Sequence, residues 1–230
     1  MVRFNNPNAG VFDDDYDLSQ VTDERLKERL EFLRRHDIGL KQLVTELTPL
    51  YAFLRERKPF HTLVELGCWQ GATAWLLSEF LQPGARIILI DMLRNVNDFK
   101  KASFVTSQLS KAGFKATLMR ETTREAFDQL RGLDVDYLHI DADHRYEGAR
   151  WDFDHYSELT AAEKDAVIQL HDIAMTGWSN PKHQFGVHKL WAELKALPAT
   201  EGRMVEFIDR TYADPQPRVE GHVGTGLILR

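Results

Sequence analysis

Residues 64–77 read VELGCWQGATAWLL: a β-rich run closes on Leu66, a turn carries Gly67 and Gly71, and an apolar helix opens at Ala72. Glycines there let backbone come close to a ligand, and the helix that follows presents free N–H groups at its start. Turn geometry alone also places glycine between a strand and a helix. A second signal lies one unit on, where residues 87–93 (IILIDML) put Asp91 at a strand end, the place where an open α/β sheet holds an acid against ribose hydroxyls. With only Gly67 and Gly71 present, the spacing departs from the G-x-G-x-x-G fingerprint, and NAD is the weaker cofactor.

Working outward, short apolar β-rich runs recur at Thr62–Leu66, Arg86–Ile90, Ala116–Met119, Val135–Ile140 and Ala166–Leu170. Helical stretches separate them at Ala72–Leu81, Asn97–Ala112, Thr123–Leu130 and Tyr146–Glu158, lengths suited to right-handed crossovers between parallel strands. The tail adds a helix over Val187–Leu197 and strands over Met204–Ile208 and Gly226–Leu229. Upstream, Ser19, Thr22 or Asp23 can cap a helix carrying Leu26, Leu30 and Leu33, and Leu40 to Leu54 forms a second, with Pro49 as a kink or boundary. The expected organisation is an acidic arm and helices over 1–58 and an α/β core over 59–230, one globular unit overall.

Of the 230 residues 43% are hydrophobic, enough for one sizeable core. No run approaches the ~20 apolar residues of a spanning helix, and the start lacks the layout of a secretory signal. The single cysteine, Cys68, excludes an internal disulfide and a multi-cysteine zinc site. A cytoplasmic protein is expected. The 29 basic and 35 acidic residues sum to −6, which favours neither nucleic acid nor an anionic bilayer as partner.

The fourth strand runs into Asp141-Ala142-Asp143-His144 and the fifth into His171-Asp172. Carboxyl ends of neighbouring parallel strands are where such sheets bind ligands. Asp141 and Asp172 can hold Mg²⁺ through oxygen, and His171, if it ligates, tilts the site toward Mn²⁺, Fe²⁺ or Zn²⁺. The bland alternative is helix capping, for which Asp143 is the best candidate. Capping accounts for one acid per loop, not for an Asp-x-Asp-His cluster beside a His-Asp pair. The stretch after Asp172, MTGWSNPKHQFGVHKLW, suits a substrate lid bearing Trp178, His183, Phe185 and His188.

VELGCWQGATAWLL followed by IILIDML resembles the first two motifs of class I S-adenosylmethionine-dependent methyltransferases. The resemblance implies a Rossmann-like, doubly wound seven-stranded sheet with an antiparallel last strand. It implies Glu65, Gly67 and Gly71 around the methionine part of the cofactor, Asp91 on the ribose, and Glu121 or Thr122 at the adenine. HIDADHRYEGARWDF with QLHDI is similar to the metal-dependent sugar and antibiotic O-methyltransferases and the cephalosporin-hydroxylase-like branch. That implies Asp141, His171 and Asp172 as metal ligands, with His171 where the branch often has Glu, and His144 as general base. The expected reaction is methyl transfer to a small-molecule hydroxyl, of a sugar, phenol or natural-product intermediate. A methyltransferase without metal and an NAD-dependent oxidoreductase are the alternatives; a homo-oligomer whose N-terminal helices cover a partner's site is compatible with either.

Overall fold

The structure is a computed structural model that describes residues 18–160, 165–178, 184–211 and 219–230. Seven strands form the main sheet: β1 (Phe60–Leu66), β2 (Leu81–Ile90), β3 (Lys115–Met119), β4 (Tyr137–Ile140), β5 (Val167–His171), β7 (Met204–Phe207) and β9 (Thr225–Leu229). Their order is β3-β2-β1-β4-β5-β9-β7, with β9 antiparallel to both of its neighbours. This is the doubly wound sheet with an antiparallel last strand expected from the sequence. A ribbon of β6 (Met175–Trp178) and β8 (Val219–Gly221) stands apart from it. The acidic arm falls outside the described residues.

Because successive strand residues point to opposite faces, the sheet sorts its side chains into two cores. Leu63, Tyr137, Val167 and Leu227 point to one, beneath helices α1 (Glu24–Arg35), α2 (Val44–Arg55) and α3 (Ala72–Leu77). Val64, Leu66, Leu138, Ile140, Ile168 and Leu170 point to the other, beneath α5 (Thr123–Leu130), α6 (Tyr146–Tyr156) and α7 (Val187–Lys195). The remaining helix, α4 (Val96–Lys111), contributes Val105 and Leu109 to the first core.

Asp23 caps α1 by accepting from the Leu26 N–H at 3.0 Å, and Leu26, Leu30 and Leu33 form its buried stripe. Pro49 lies inside α2 and ends nothing. The helix tolerates the missing N–H because Leu47, Leu50, Tyr51 and Leu54 dock it on the sheet, with the Tyr51 hydroxyl donating to the Leu76 carbonyl at 2.7 Å. The helix expected to reach Leu81 stops at Leu77 and tightens into a 3-10 turn over Ser78–Phe80. Leu81 is taken by the sheet, pairing with Phe60.

Candidate active site

The β1–α3 turn uses three left-handed residues in a row of five: Gly67 (φ 82°), Trp69 (φ 43°) and Gly71 (φ 85°). Gly67 also has no room for a side chain, since a Cβ there would lie 2.1 Å from the carbonyl oxygen of Asp141. The turn glycine is therefore pressed against the end of β4. Asp91 fixes the same loop: its Oδ2 accepts from the Trp69 N–H at 2.8 Å and its Oδ1 from the Leu93 N–H at 2.9 Å. Each oxygen keeps a lone pair, so the carboxylate is oriented and still able to accept from a ligand.

The segment between α1 and α2 is stitched to this turn. Gln70 Oε1 accepts from the Gly39 N–H at 2.7 Å, and Thr73 Oγ1 donates to Gln42 Oε1 at 2.9 Å. Lys41 lies with its ammonium 4.2 Å from the Trp69 ring centroid, forming part of the cleft wall.

These groups face an open cleft of about 1130 Å³ at the carboxyl ends of the parallel strands. Of the six residues expected at the cofactor, Gly67, Asp91, Glu121 and Thr122 line it; Glu65 and Gly71 stand behind the wall. Glu65 is buried, its Oε1 3.3 Å from His139 Nδ1, and burial pushes its carboxyl pKa up. Gly71 starts α3 and faces Val105. Thr122 also caps α5 in a reciprocal box with Glu125, and Glu121 Oε2 accepts from Gln129 Nε2 at 2.5 Å.

Asp141, His144, His171 and Asp172 come together on the cleft floor. His144 Nε2 lies 3.3 Å from Asp141 Oδ1 and 3.1 Å from Asp172 Oδ2. His171 Nδ1 lies 3.5 Å from Asp141 Oδ1 and 3.3 Å from Asp172 Oδ1. One donor atom from each of Asp141, His171 and Asp172 falls within 4.8 Å of the others, a spread and a donor set that fit one divalent cation. Burial works against charge on these groups, but pairing reverses it. The Asp141 carboxyl is held far below its ordinary range by His171 and His144, and the two carboxylates raise His144 and carry His171 to about 9. Asp172 itself is left-handed, with φ 60°.

Asp143 does not cap α6. It accepts from the Arg145 backbone N–H at 3.0 Å and grips the Arg145 guanidinium, while Arg145 occupies the cap position without a side-chain bond. The loop is too tight for a longer reach: a Cβ on Gly148 would fall 2.2 Å from the Asp143 carboxyl carbon. Of the expected lid, Phe185 lines the cleft with its ring centroid 5.3 Å from that of His144, held by the Gly186 N–H donating to the His144 carbonyl at 2.8 Å. His188 sits on α7 away from the cleft lining, His183 lies outside the described residues, and Trp178 enters β6. Cys68 is buried, and burial raises its thiol pKa, as suits a packing residue.

Among the lining residues that escape the motif reading are Lys41 and Asp152. Asp152 shares the buried stripe of α6 with Ala149 and Tyr156, so the signal was an acid on an apolar helical face. Burial pushes its carboxyl up from 3.8 to about 6, although Thr123 hydrogen-bonds it. A raised acid favours the folded state only while protonated, so its cost grows as pH climbs from about 4 to about 6 and is constant above. That cost is about 3 kcal/mol. Asp152→Asn should therefore melt above the native chain at pH 8, and the gap should close near pH 4; calorimetric melting across that range checks it, and a gap independent of pH refutes it.

A family model described as a methyltransferase domain matches residues 64–173, the stretch from β1 to the end of the acidic constellation. Residues 64–173 are thus similar to methyltransferase domains. Solved structures share the fold of this chain over nearly its whole length. The O-methyltransferase TomG of Streptomyces achromogenes, in complex with SAM, is 20% identical with a TM-score of 0.56, covering 90% of this chain and 89% of that one. Rv0187 from MTB, cofactor-bound, is 15% identical with a TM-score of 0.59 over 92% of each chain. An O-methyltransferase from Bacillus cereus, in complex with SAH, is 16% identical with a TM-score of 0.55 over 91% of this chain and 92% of that one. Among curated sequences, the uncharacterized protein y4gI of Sinorhizobium fredii is 34% identical over 80 residues, 35% of this chain. The chain spans 8% of the length of that relative. Among the described residues no helix is long and apolar enough to cross a membrane.

Proposed function

We propose that this chain is a methyltransferase that moves the methyl group of S-adenosylmethionine to a hydroxyl oxygen of a small molecule, a sugar, phenol or natural-product intermediate, beside a divalent cation held by Asp141, His171 and Asp172. One observation carries the reading: the cofactor wall of Gly67 and Asp91 and the Asp141–His171–Asp172 cluster share one cleft floor, with Gly67 against the Asp141 backbone. Neighbours of the same fold that are O-methyltransferases add to it.

Asp91 accepts from the ribose hydroxyls, Gly67 lets backbone approach the methionine part, and Glu121 and Thr122 border the adenine end. A bound cation, Mg²⁺ in the first instance, would supply Lewis acidity that lowers the pKa of the attacking hydroxyl and orients it. His144 takes the proton at Nε2 once Asp141 and Asp172 no longer hold that nitrogen protonated. The new O–C bond forms as the C–S bond breaks in line, the hydroxyl proton passes to His144, and S-adenosylhomocysteine leaves. Phe185 over His144 helps keep water from the reacting centre.

Calorimetric titration tests this with S-adenosylmethionine, S-adenosylhomocysteine and NAD, each with Mg²⁺, with Mn²⁺ and with a chelator. Micromolar binding of both adenosyl ligands is expected, with an Asp91→Ala variant about 10²-fold weaker after losing two charge-assisted hydrogen bonds. Binding of NAD instead would overturn the reading, and turnover of a diol or catechol that ignores the chelator would remove the cation from it.

A further inference from the structure

An acid from an N-terminal helix reaches the back of the cation cluster. The pleat puts His171 on the face of the sheet covered by α2, because Val167 points there and His171 is four residues on. On α2, Glu46 occupies the buried stripe with Leu47, Leu50, Tyr51 and Leu54. Its Oε1 accepts from the backbone N–H of Asp209 at 3.2 Å and of Gly224 at 3.1 Å. Gly224 directly precedes Thr225, the cross-strand partner of His171. The sheet register thus brings the Glu46 carboxylate to the residue next to the neighbour of His171.

Both groups are almost fully buried, Glu46 at 2% exposure and His171 at 3%. Each has one polar atom with no hydrogen-bond partner among the described residues, Oε2 of Glu46 and Nε2 of His171. One is an acceptor, and the other is a donor in the imidazolium that pairs through Nδ1 with the carboxylates of Asp141 and Asp172, and in the tautomer whose Nδ1 keeps its lone pair for a cation. Orphaned buried polar atoms are rare, and a complementary pair is satisfied by a direct contact or by one buried water. Each also feels the other's charge.

We infer that Glu46 is a positioning residue for His171: its carboxylate holds the Nε2–H of the imidazole from behind, so that Nδ1 stays aimed between Asp141 and Asp172. A carboxylate behind a ligating histidine fixes its tautomer and ring orientation and makes it a better donor. The consequence for the cluster is that its imidazole arm is set by α2, more than a hundred residues away in the chain. Anchoring Asp209 and Gly224 would not by itself require an acid: an amide oxygen accepts from the same two N–H groups, which is what makes Glu46→Gln informative.

The inference rests on the cation reading above, and two measurements on the full chain keep the two apart. In metal-free protein with ¹⁵N-labelled histidine, His171, assigned by its loss in His171→Asn, should show a proton on Nε2 protected from solvent exchange. In Glu46→Gln, where an amide N–H can face the ring, that signal should shift and lose protection. An Nε2 without a proton in the native chain, or the same spectrum in both proteins, overturns the inference, and the native measurement stands even where the variant fails to fold. By Mn²⁺ calorimetry Glu46→Gln should bind about 10- to 100-fold more weakly with S-adenosylmethionine affinity unchanged; equal Mn²⁺ affinity also overturns it. A native chain that takes up no Mn²⁺ refutes the cation, while the nitrogen spectrum still decides on Glu46.

Discussion

An Asp172→Asn variant is expected to bind S-adenosylmethionine as the native chain does and to lose roughly 10²- to 10³-fold in kcat/KM, the range for removing one preorganised electrostatic group. Asparagine is the informative replacement because Asp172 is left-handed, at φ 60°, a conformation Asn adopts with little strain. The shape of the loop survives while the negative charge facing His144 at 3.1 Å and His171 at 3.3 Å is lost. Steady-state kinetics with release of S-adenosylhomocysteine as the readout, in Mg²⁺ and in chelator, separate the outcomes. If chelator lowers the native rate to that of the variant, the carboxylate acts through the cation. Native-like turnover by Asp172→Asn would remove this carboxylate from the reaction.

Gly67→Ala is expected to fail in a different way, by destroying the wall rather than the chemistry. The new methyl would lie 2.1 Å from the Asp141 carbonyl oxygen and 2.6 Å from the Ala142 Cα, backbone atoms that cannot swing aside. Relief means parting the turn from the end of β4, and with it the bond in which the Asp141 N–H donates to the Leu66 carbonyl at 2.8 Å. Clash and left-handed strain together should cost about 3 kcal/mol or more, roughly 6–12 °C of melting temperature in a chain this long. Adenosyl-ligand affinity should fall by at least about 10²-fold. Gly84→Ala supplies the control, since Gly84 has φ 79° and nothing within 4 Å of the added Cβ. It carries strain without collision. If the two variants melt alike and both bind cofactor, the close approach at Gly67 is not what shapes the site.

These two residues were legible in the sequence for a common reason. A buried parallel strand announces itself as a short apolar run, and the residue that breaks the run stands at the ligand end of the sheet. Gly67, Asp91, Asp141 and Asp172 all occupy such positions, or the one after them, and strand order brings their ends together. Glu65 and Gly71 belong to the same motif yet stand behind the wall, because spacing along the chain does not say which side of a turn faces the ligand.

Two of the groups that escaped detection sit on helices. Glu46 and Asp152 each lie on an apolar stripe, where an acid reads as a flaw in the pattern until the neighbouring element is known. Lys41 becomes a wall residue only through the bonds of Gly39 to Gln70 and of Gln42 to Thr73, which tie its segment to the β1–α3 turn. Pro49 misleads in the opposite sense, since propensity is overridden by the packing of its helix. The β6–β8 ribbon pairs Met175–Trp178 with Val219–Gly221, too far apart in sequence for any hairpin signal.

The placing of β9 has a consequence for the order in which the main sheet can close. β9 lies between β5 and β7, so the strand of that sheet latest in the sequence is the one that joins its neighbours. Until residues 225–229 exist, β5 has no outer neighbour and β7 has nothing in the main sheet to pair with. The bond from the Gly224 N–H to Glu46 closes across 178 positions of sequence, a loop whose closure entropy is met only after the other six strands of the main sheet have been made. The nascent chain therefore carries its glycine turn after β1 early and completes the back of its acidic cluster only with β9, with an open sheet edge in the interval.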